Sequence, residues 1–122
     1  MYDRHMKRRL PVFGDRAWDD YAAVKREIKR RMPDVVIEGE ADGADSMARL
    51  AAEELGIRVL KFPAEWSKYG RAAGPIRNRQ MLVEGQPTEA IGFHRNITKS
   101  KGSKNMLGQC EKRGVPTIIY RG

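Results

Sequence analysis

Cysteine and long apolar runs are both scarce in this sequence. Cys110 is the single cysteine, so the chain can form neither an internal disulfide nor a zinc site built from several cysteines. No apolar run approaches the ~20 residues that a membrane-spanning helix needs. The basic N-terminus is not followed by the apolar segment of a secretion signal. These absences predict a cytoplasmic protein that does not bind membranes.

Acidic residues are too few to balance the basic ones. The 122 residues include 24 Lys and Arg against 16 Asp and Glu, which gives a formal net charge of +8. This excess favours phosphate-bearing partners, either a nucleotide or a nucleic acid, although a merely solvated basic surface has the same composition. The length predicts one domain over residues 1–122, with residues 1–8 as a disordered or extended N-terminal tail.

Short β-branched runs alternate with segments of helical period, which is typical of a parallel sheet covered by helices on both faces. The predicted strands cover residues 10–13, 35–38, 58–62, 89–93 and 117–120. The predicted helices cover residues 21–32, 45–55, 75–83 and 103–113. Asp19 is the expected N-cap of the first helix and Met32 its last apolar position, while Leu50 belongs to the apolar stripe of the second. Pro11 makes the start of the first strand irregular, because proline removes a hydrogen-bond donor.

Open parallel sheets bind ligands beyond the carboxyl ends of their strands, so the turns after the strands are where a site is expected. The first turn, Gly14-Asp15-Arg16, is followed by Trp18, which is either a ligand-facing indole or an apolar staple for the next helix. The second turn, residues 39–46, contains two glycines that serve either phosphate binding or turn geometry alone. Asp45 in this turn is predicted to be an N-cap rather than a catalyst.

The third turn, residues 62–79, combines aromatics and arginines before a helix. Trp66 or Tyr69 is expected to stack on a base, and Arg71 and Arg77 are expected to bind phosphate through their guanidinium groups. Arg77 and Arg79 cannot share a helix face, so at most one of them points into a cleft. The alternative is a small local core of aromatics with solvated arginines.

This third turn also ends in a favourable helix beginning. Pro75 suits the first turn of a helix, where its missing N–H costs nothing, and Gly74 lets the backbone approach a ligand closely. The free amides that follow favour an anion such as phosphate.

The fourth turn, residues 94–104, is polar and basic and leads into the last helix. Gly102 and Ser103 are expected to close the phosphate end of a site, with a flexible surface loop as the alternative. His94 stands where a general base would stand, but the sequence shows no carboxylate paired with it, which favours an incidental histidine.

Together these motifs resemble the YspA-like branch of the SLOG superfamily over residues 12–120. The resemblance is carried by three segments: Gly14-Asp15-Arg16, then Gly39-x-x-x-Gly43-Ala44-Asp45, then Phe62-Pro63-Ala64-x-Trp66 through Tyr69-Gly70-x-x-Ala73-Gly74-Pro75-x-Arg77-Asn78. It implies a Rossmann-like domain that binds a nucleotide or a nucleotide-derived ligand such as ADP-ribose. It also implies an origin in bacteria or their phages, and a homo-oligomeric assembly.

The same superfamily includes a group of enzymes and a group of DNA-binding proteins, and each suggests an alternative function for this chain. In the LONELY GUY enzymes, which cleave the bond between base and ribose 5'-phosphate, a catalytic arginine falls at the position of Arg77. Their glutamate after the glycine-rich loop is missing here, since Asn105 and Met106 follow Ser103. An amide cannot remove a proton, so N-glycosidic hydrolysis would need a carboxylate from another turn, such as Asp15, Asp45 or Glu65. The DprA proteins suggest the second alternative, which is binding of single-stranded nucleic acid.

The sequence therefore predicts an α/β fold, a single Rossmann-like three-layer domain with a mostly parallel five-stranded sheet and helices on both faces. It predicts a nucleotide-binding site at the carboxyl ends of the strands, with no metal and no cofactor. Arg77 is the candidate catalytic residue if the protein is an enzyme. The predicted ligand-binding residues are Gly14, Asp15, Arg16, Gly39, Gly43, Ala44, Asp45, Ser46, Trp66, Tyr69, Arg71, Gly74, Arg77, Asn78, Gly102 and Ser103.

Overall fold

The computed structural model describes residues 7–122, so most of the predicted N-terminal tail lies outside the described residues. Arg8, its last residue, is held by a hydrogen bond from its backbone N–H to Asp34 Oδ2 at 2.8 Å. The strands are β1 (Arg9–Gly14), β2 (Val35–Glu38), β3 (Arg58–Lys61), β4 (Ala90–Phe93) and β5 (Thr117–Tyr120). The α-helices are α1 (Tyr21–Arg31), α2 (Ala44–Glu54), α3 (Trp66–Tyr69), α4 (Ala73–Gly85) and α5 (Lys101–Lys112).

The five strands form one sheet in the order β3-β2-β1-β4-β5, and each neighbouring pair is parallel. The chain winds outward from β1 to β3 and then returns to place β4 on the other side of β1. Ligands bind open α/β sheets where the winding direction reverses, which here is between the carboxyl ends of β1 and β4.

Helices cover both faces, which confirms the predicted three-layer Rossmann-like fold. On one face Leu10, Val12 and Val36 pack against α1 and α2. On the other face Phe13 and Ile37 pack against residues of α4 and α5. Alternate residues of β1 and β2 thus enter opposite layers, as the two-residue period of a strand requires.

Pro11 lies inside a central strand without breaking it. Residues Arg9 to Pro11 pair with β2, and residues Val12 to Gly14 pair with β4. Pro11 therefore stands where the hydrogen-bonding partner of β1 changes, and there the sheet accommodates its missing N–H.

Three details of the predicted helices are wrong. Asp20, not Asp19, caps α1, because its carboxylate accepts a hydrogen bond from the Ala23 N–H at 3.1 Å. Met32 lies beyond the end of α1 in a left-handed conformation and is 54% exposed. In α2, Leu50 is 50% exposed, because the helix turns its alanines toward the sheet and approaches it closely.

The segment between β3 and α4 is helical rather than an open loop. It contains α3 and a 3-10 turn at Gly70–Ala72, and α4 begins at Ala73. Pro75 is the third residue of α4 and still lies in the first turn, where its missing N–H leaves no broken hydrogen bond.

Candidate functional site

A cleft of ≈ 990 Å³ opens at the carboxyl ends of β1 and β4, at the reversal of the winding. Its walls come from the segments after β1, β2, β3 and β4, from the beginning of α4 and from the beginning of α5. A volume near 1,000 Å³ is at the upper end of the range for small-molecule sites, which run from roughly 300 to 1,000 Å³.

Two glycines bring the turns after β1, β2 and β4 into contact. Gly14 has φ +154°, and a Cβ there would overlap the backbone of Phe93, whose carbonyl accepts the Asp15 N–H at 2.9 Å. Gly43 has φ +70°, and a Cβ there would overlap the Asp15 carbonyl. That carbonyl accepts the Ala44 N–H at 3.1 Å, which ties the first turn of α2 to the turn after β1. The glycines thus set the shape of the cleft floor.

Arg77 and Asp45 meet on either side of Gly39. Arg77 Nη1 donates to the Gly39 carbonyl, while Asp45 Oδ2 accepts the N–H groups of Gly39 and Ala41 at 3.1 and 3.2 Å. A Cβ at Gly39 would lie 2.7 Å from Arg77 Cζ and 3.0 Å from Asp45 Oδ2, so only glycine leaves room for both groups. Asp45 is not an N-cap as predicted; Gly43 occupies the N-cap position, and Asp45 organises the turn before it.

Burial perturbs the acid–base behaviour of this cluster. It raises the pKa of Asp45 to about 6, although the bonds from the turn amides and the charges of Arg77 and Arg16 oppose the rise. Burial also raises the pKa of Glu38, the last residue of β2, to about 7, and the nearby Asp45 charge adds to this. The Arg77 pKa is lowered, again by burial first. The carboxyl groups of Asp45 and Glu38 therefore titrate closer to neutral pH than solvated carboxyl groups do.

The opposite wall is built by α4 and α5. Asn78 is buried and donates from Nδ2 to the Gly102 carbonyl at 3.2 Å and to Asn105 Oδ1 at 3.1 Å. Ser100 caps α5, since its hydroxyl accepts the Ser103 N–H at 3.2 Å. Within residues 7–122 the N–H groups of Lys101 and Gly102 donate to no protein acceptor, and both residues line the cleft. A helix beginning with free amides attracts an anion.

His94 is paired with a carboxylate that sequence reasoning did not connect to it. Its Nε2 lies 3.9 Å from Asp15 Oδ2, and its Nδ1 accepts the Asn96 N–H at 3.0 Å. The bond to Asn96 places the proton of the neutral ring on Nε2, facing Asp15. Asp15 and His94 are far apart in the sequence, and only the pairing of β1 with β4 brings them together.

The indole of Trp66 is half-exposed at the cleft. Trp66 lines it and is 49% exposed, and the Arg16 guanidinium lies 5.7 Å from the centre of its ring. Tyr69 instead lines a separate, shallower hollow of ≈ 300 Å³ together with Arg79. Trp18 is 2% exposed in the core, which confirms its apolar alternative.

The structure brings most of the predicted site residues to one cleft. Those that line it are Gly14, Asp15, Arg16, Asp45, Trp66, Arg71, Gly74, Arg77, Asn78, Gly102 and Ser103. Those that do not line it are Gly39, Gly43, Ala44, Ser46 and Tyr69. The glycines at 39 and 43 and Ala44 serve the geometry of the turns, while the Ser46 hydroxyl donates to the Gly43 carbonyl at 3.0 Å.

Several lining residues were absent from the predicted site. They are Phe13, Ala41, Pro75, Met81, His94, Arg95, Asn96, Lys99, Ser100, Lys101 and Met106. The basic turn after β4 was a usable signal for Lys99 and Lys101, whereas the apolar members look like ordinary core residues in the sequence.

The first half of the chain matches a family model. The family is described as the YspA, cpYpsA-related SLOG family, and the match covers residues 9–69. The protein belongs to this family. The matched residues run from β1 to α3 and include the Gly14, Gly43 and Trp66 motifs of this SLOG protein.

A phage protein and a solved bacterial structure are also similar. Gene 61 protein of Mycobacterium phage D29 is 28% identical over 123 residues, which cover 93% of this chain and 96% of that protein. The crystal structure of DNA processing protein A from Streptococcus pneumoniae matches with a TM-score of 0.73 and 19% identity. The match covers 95% of this chain and 51% of that one, so the chain spans about half its length. At this identity the likeness shows the fold alone.

Two further observations bear on possible partners. Among the helices within residues 7–122, none has the length and apolar character needed to cross a bilayer. Over the same residues, no three His, Cys, Asp or Glu side chains cluster as metal ligands would.

Proposed function

We propose that the cleft binds a nucleotide or a nucleotide-derived ligand through its phosphate groups and its base. The observation that carries this proposal is the combination, in one cleft, of exposed guanidinium groups, a helix beginning with free amides and a half-exposed indole. Membership of the SLOG family and the DprA-like fold both suggest nucleotide or nucleic-acid binding.

The phosphate groups are assigned to the end of the cleft at α5. Lys101 and Gly102 offer backbone N–H groups there, Ser103 offers a hydroxyl, and Lys99 adds a positive charge. Arg71, exposed on the opposite side, is free to fold over an anion with its two-pronged guanidinium group. Arg95 contributes less, because its Nη2 is 3.1 Å from Asp19 Oδ1.

The base is assigned to Trp66. Its indole is half-exposed at the cleft, and stacking on an aromatic ring is worth about 1–3 kcal/mol per base. Arg16 already lies against this ring, so a base would stack on the indole beside a cation.

Titration calorimetry with ADP, ADP-ribose and AMP tests the proposal, with the variants Arg71→Gln and Arg79→Gln compared at each ligand. Arg71 lines the cleft and Arg79 lines the separate hollow, so the two variants make the same charge change in different places. We expect Arg71→Gln to weaken binding by about tenfold or more and Arg79→Gln to leave it within about twofold. Equal effects of both variants would indicate a general charge effect and contradict the assigned site.

Nucleic-acid binding is the second candidate, favoured by the net charge of +8 and by the exposed basic residues at the cleft mouth. A single-stranded oligonucleotide that neutralises several charges should bind with a steep salt dependence, because each phosphate contact releases a counterion. An oligonucleotide that binds more tightly than ADP, with such a slope, would favour this candidate. Displacement of the oligonucleotide by ADP would show that both use the cleft.

A further inference from the structure

The carboxylate of Asp45 is an unexpected group in a cleft that attracts anions. Asp45 is 5% exposed and lines the cleft between the turn after β1 and the beginning of α4. It bonds no cation directly, because no Lys or Arg nitrogen of residues 7–122 lies within 4.0 Å of it. Its negative charge would repel a phosphate, so a ligand group that contacts it is not a phosphate.

The two oxygens of this carboxylate differ in their surroundings. Oδ2 accepts both turn amides, from Gly39 and Ala41. Oδ1 accepts no hydrogen bond from residues 7–122. It is not fully buried, in contrast to Glu38 Oε2, which is both buried and without a partner among these residues. Oδ1 is therefore accessible, on a side chain that lines the cleft and that Oδ2 holds in place.

A fixed, ionised acceptor oxygen fits a neutral hydrogen-bond donor of the ligand. The hydroxyl groups of a sugar are such donors, and phosphate groups are not. The positions along the sheet agree with this: Trp66 follows β3, Asp45 follows β2, and Ser103 follows β4. The ends of β2 and β4 are two strand spacings apart, about 10 Å, which places Asp45 and Ser103 after different strands that are not neighbours. A nucleoside phosphate has the same order of parts, namely base, sugar and phosphate.

We propose that Asp45 Oδ1 accepts a hydrogen bond from a ribose hydroxyl, so that the cleft selects ribonucleoside phosphates over their deoxy counterparts. This inference rests on the proposed nucleotide-binding function. It makes Asp45 a specificity-determining residue and separates a small ribonucleotide ligand from single-stranded DNA, which lacks the 2'-hydroxyl.

The first test leaves the protein unchanged and alters the ligand. ADP, 2'-deoxy-ADP, 3'-deoxy-ADP and inorganic pyrophosphate are titrated into the natural protein by calorimetry. We expect loss of one of the two hydroxyls to weaken binding by about tenfold or more, since a hydrogen bond to a charged group is lost. Equal affinities for all three nucleotides would overturn the inference but leave the nucleotide site standing. No binding of ADP or pyrophosphate would overturn both.

The second test uses Asp45→Asn, with Asp42→Asn as its control. Asp42 is exposed on the same turn and does not line the cleft, so its variant makes the same charge change outside the site. In Asp45→Asn the one side-chain oxygen is needed by the Gly39 and Ala41 amides, which leaves an NH₂ group facing the cleft. We expect this variant to bind ADP more weakly and pyrophosphate more tightly, each by several-fold, and to lose the preference for ribose.

The opposite changes expected in the affinities for ADP and for pyrophosphate distinguish a lost contact with the ribose from damage to the turn. A merely structural role of Asp45 would weaken both ligands together, and that result would overturn the inference. A loss of ADP affinity with the preference for ribose retained would assign Oδ1 to an amino group of the base instead, and would equally overturn it.

Discussion

The buried carboxyl group of Glu38 provides the sharpest test of how burial affects an acidic side chain in this structure. The side chain is 0% exposed at the end of β2. Its Oε1 accepts the Glu40 N–H at 2.6 Å, and its Oε2 has no hydrogen-bond partner within residues 7–122. An ionised carboxylate in this position loses solvation that the protein does not replace. Replacing it by glutamine keeps the shape and the bonded oxygen and removes the charge.

The pKa of Glu38 sets the magnitude and the sign of the effect. Burial is the main cause that raises the pKa of the Glu38 carboxyl group from its ordinary value of 4.5 to about 7. Below pH 4.5 the Glu38 carboxyl is protonated whether the chain is folded or unfolded, and its burial then carries no charge-related cost in folding free energy. As the pH rises toward 7 the unfolded chain releases its proton first, so the folded state loses stability. The full difference is about 3 kcal/mol, at roughly 1.4 kcal/mol for each pKa unit.

Urea unfolding of the natural protein and of Glu38→Gln at pH 4.5, 6 and 8 measures this difference. We expect Glu38→Gln to gain about 3 kcal/mol, relative to the natural protein, between pH 4.5 and pH 8. Any cost of the new, unpaired NH₂ group applies at every pH and therefore cancels from the comparison. The control is Glu53→Gln, which makes the same side-chain change at an exposed position of α2. An equal gain in Glu53→Gln would show that the effect comes from the change in net charge and not from the burial of Glu38. Parallel pH curves for Glu38→Gln and the natural protein, within about 1 kcal/mol, would refute the reasoning.

Three further predictions concern the turns and the cleft. Gly43→Ala should destabilise the fold by about 3 kcal/mol or more in urea unfolding, because of its positive φ and the overlap with the neighbouring turn. The control Gly108→Ala, in α5 with open space around it, should instead stabilise the fold by about 0.5–1 kcal/mol. ADP should quench the tryptophan fluorescence, and Trp66→Leu should abolish the quenching, since the other tryptophan is buried. Arg77→Ala should weaken nucleotide binding about tenfold and also lower the melting temperature, because the Gly39 carbonyl loses its donor. An Arg77→Ala protein with unchanged affinity for ADP would remove this residue from the site.

The sequence was sufficient for the sheet and its layers because the apolar pattern is strong. Strands 35–38 and 117–120 have the predicted bounds, and the others differ by at most two residues at either end. The predictions for the helices were wrong where packing against the sheet determines which side chains are buried. Four alanines of α2 face the sheet because they allow a close approach, and this leaves Leu50 in solvent. Periodicity places apolar residues on a face but does not tell which face lies nearer the sheet.

The candidate site could be located from the sequence but not resolved into roles. Glycines and arginines after parallel strands indicated the sheet edge at which the cleft lies. The division of work within it depends on contacts between distant segments, such as Asp15 with His94 and Arg77 with Gly39. Sequence reasoning treated Gly39 and Gly43 as ligand contacts, whereas in the structure they make room for an arginine and for a neighbouring backbone. A glycine motif alone does not distinguish these uses.

Asn105, one of the two residues found where the LONELY GUY resemblance expects a glutamate, has a different role in this protein. Asn105 Oδ1 accepts hydrogen bonds from Asn78 Nδ2 at 3.1 Å and from Gln109 Nε2 at 2.8 Å. Gln109 also donates to the Pro75 carbonyl at 3.2 Å, so these amides join α4 to α5 beneath the cleft. The network fixes the beginning of α5, whose first residues line the cleft, but none of its members can remove a proton. Any proton transfer in the cleft therefore falls to the pair of Asp15 and His94 or to Asp45, whose pKa is about 6. If ADP-ribose or AMP were cleaved slowly, the rate should fall in Asp45→Asn and persist in Asn105→Ala, as measured by release of free base.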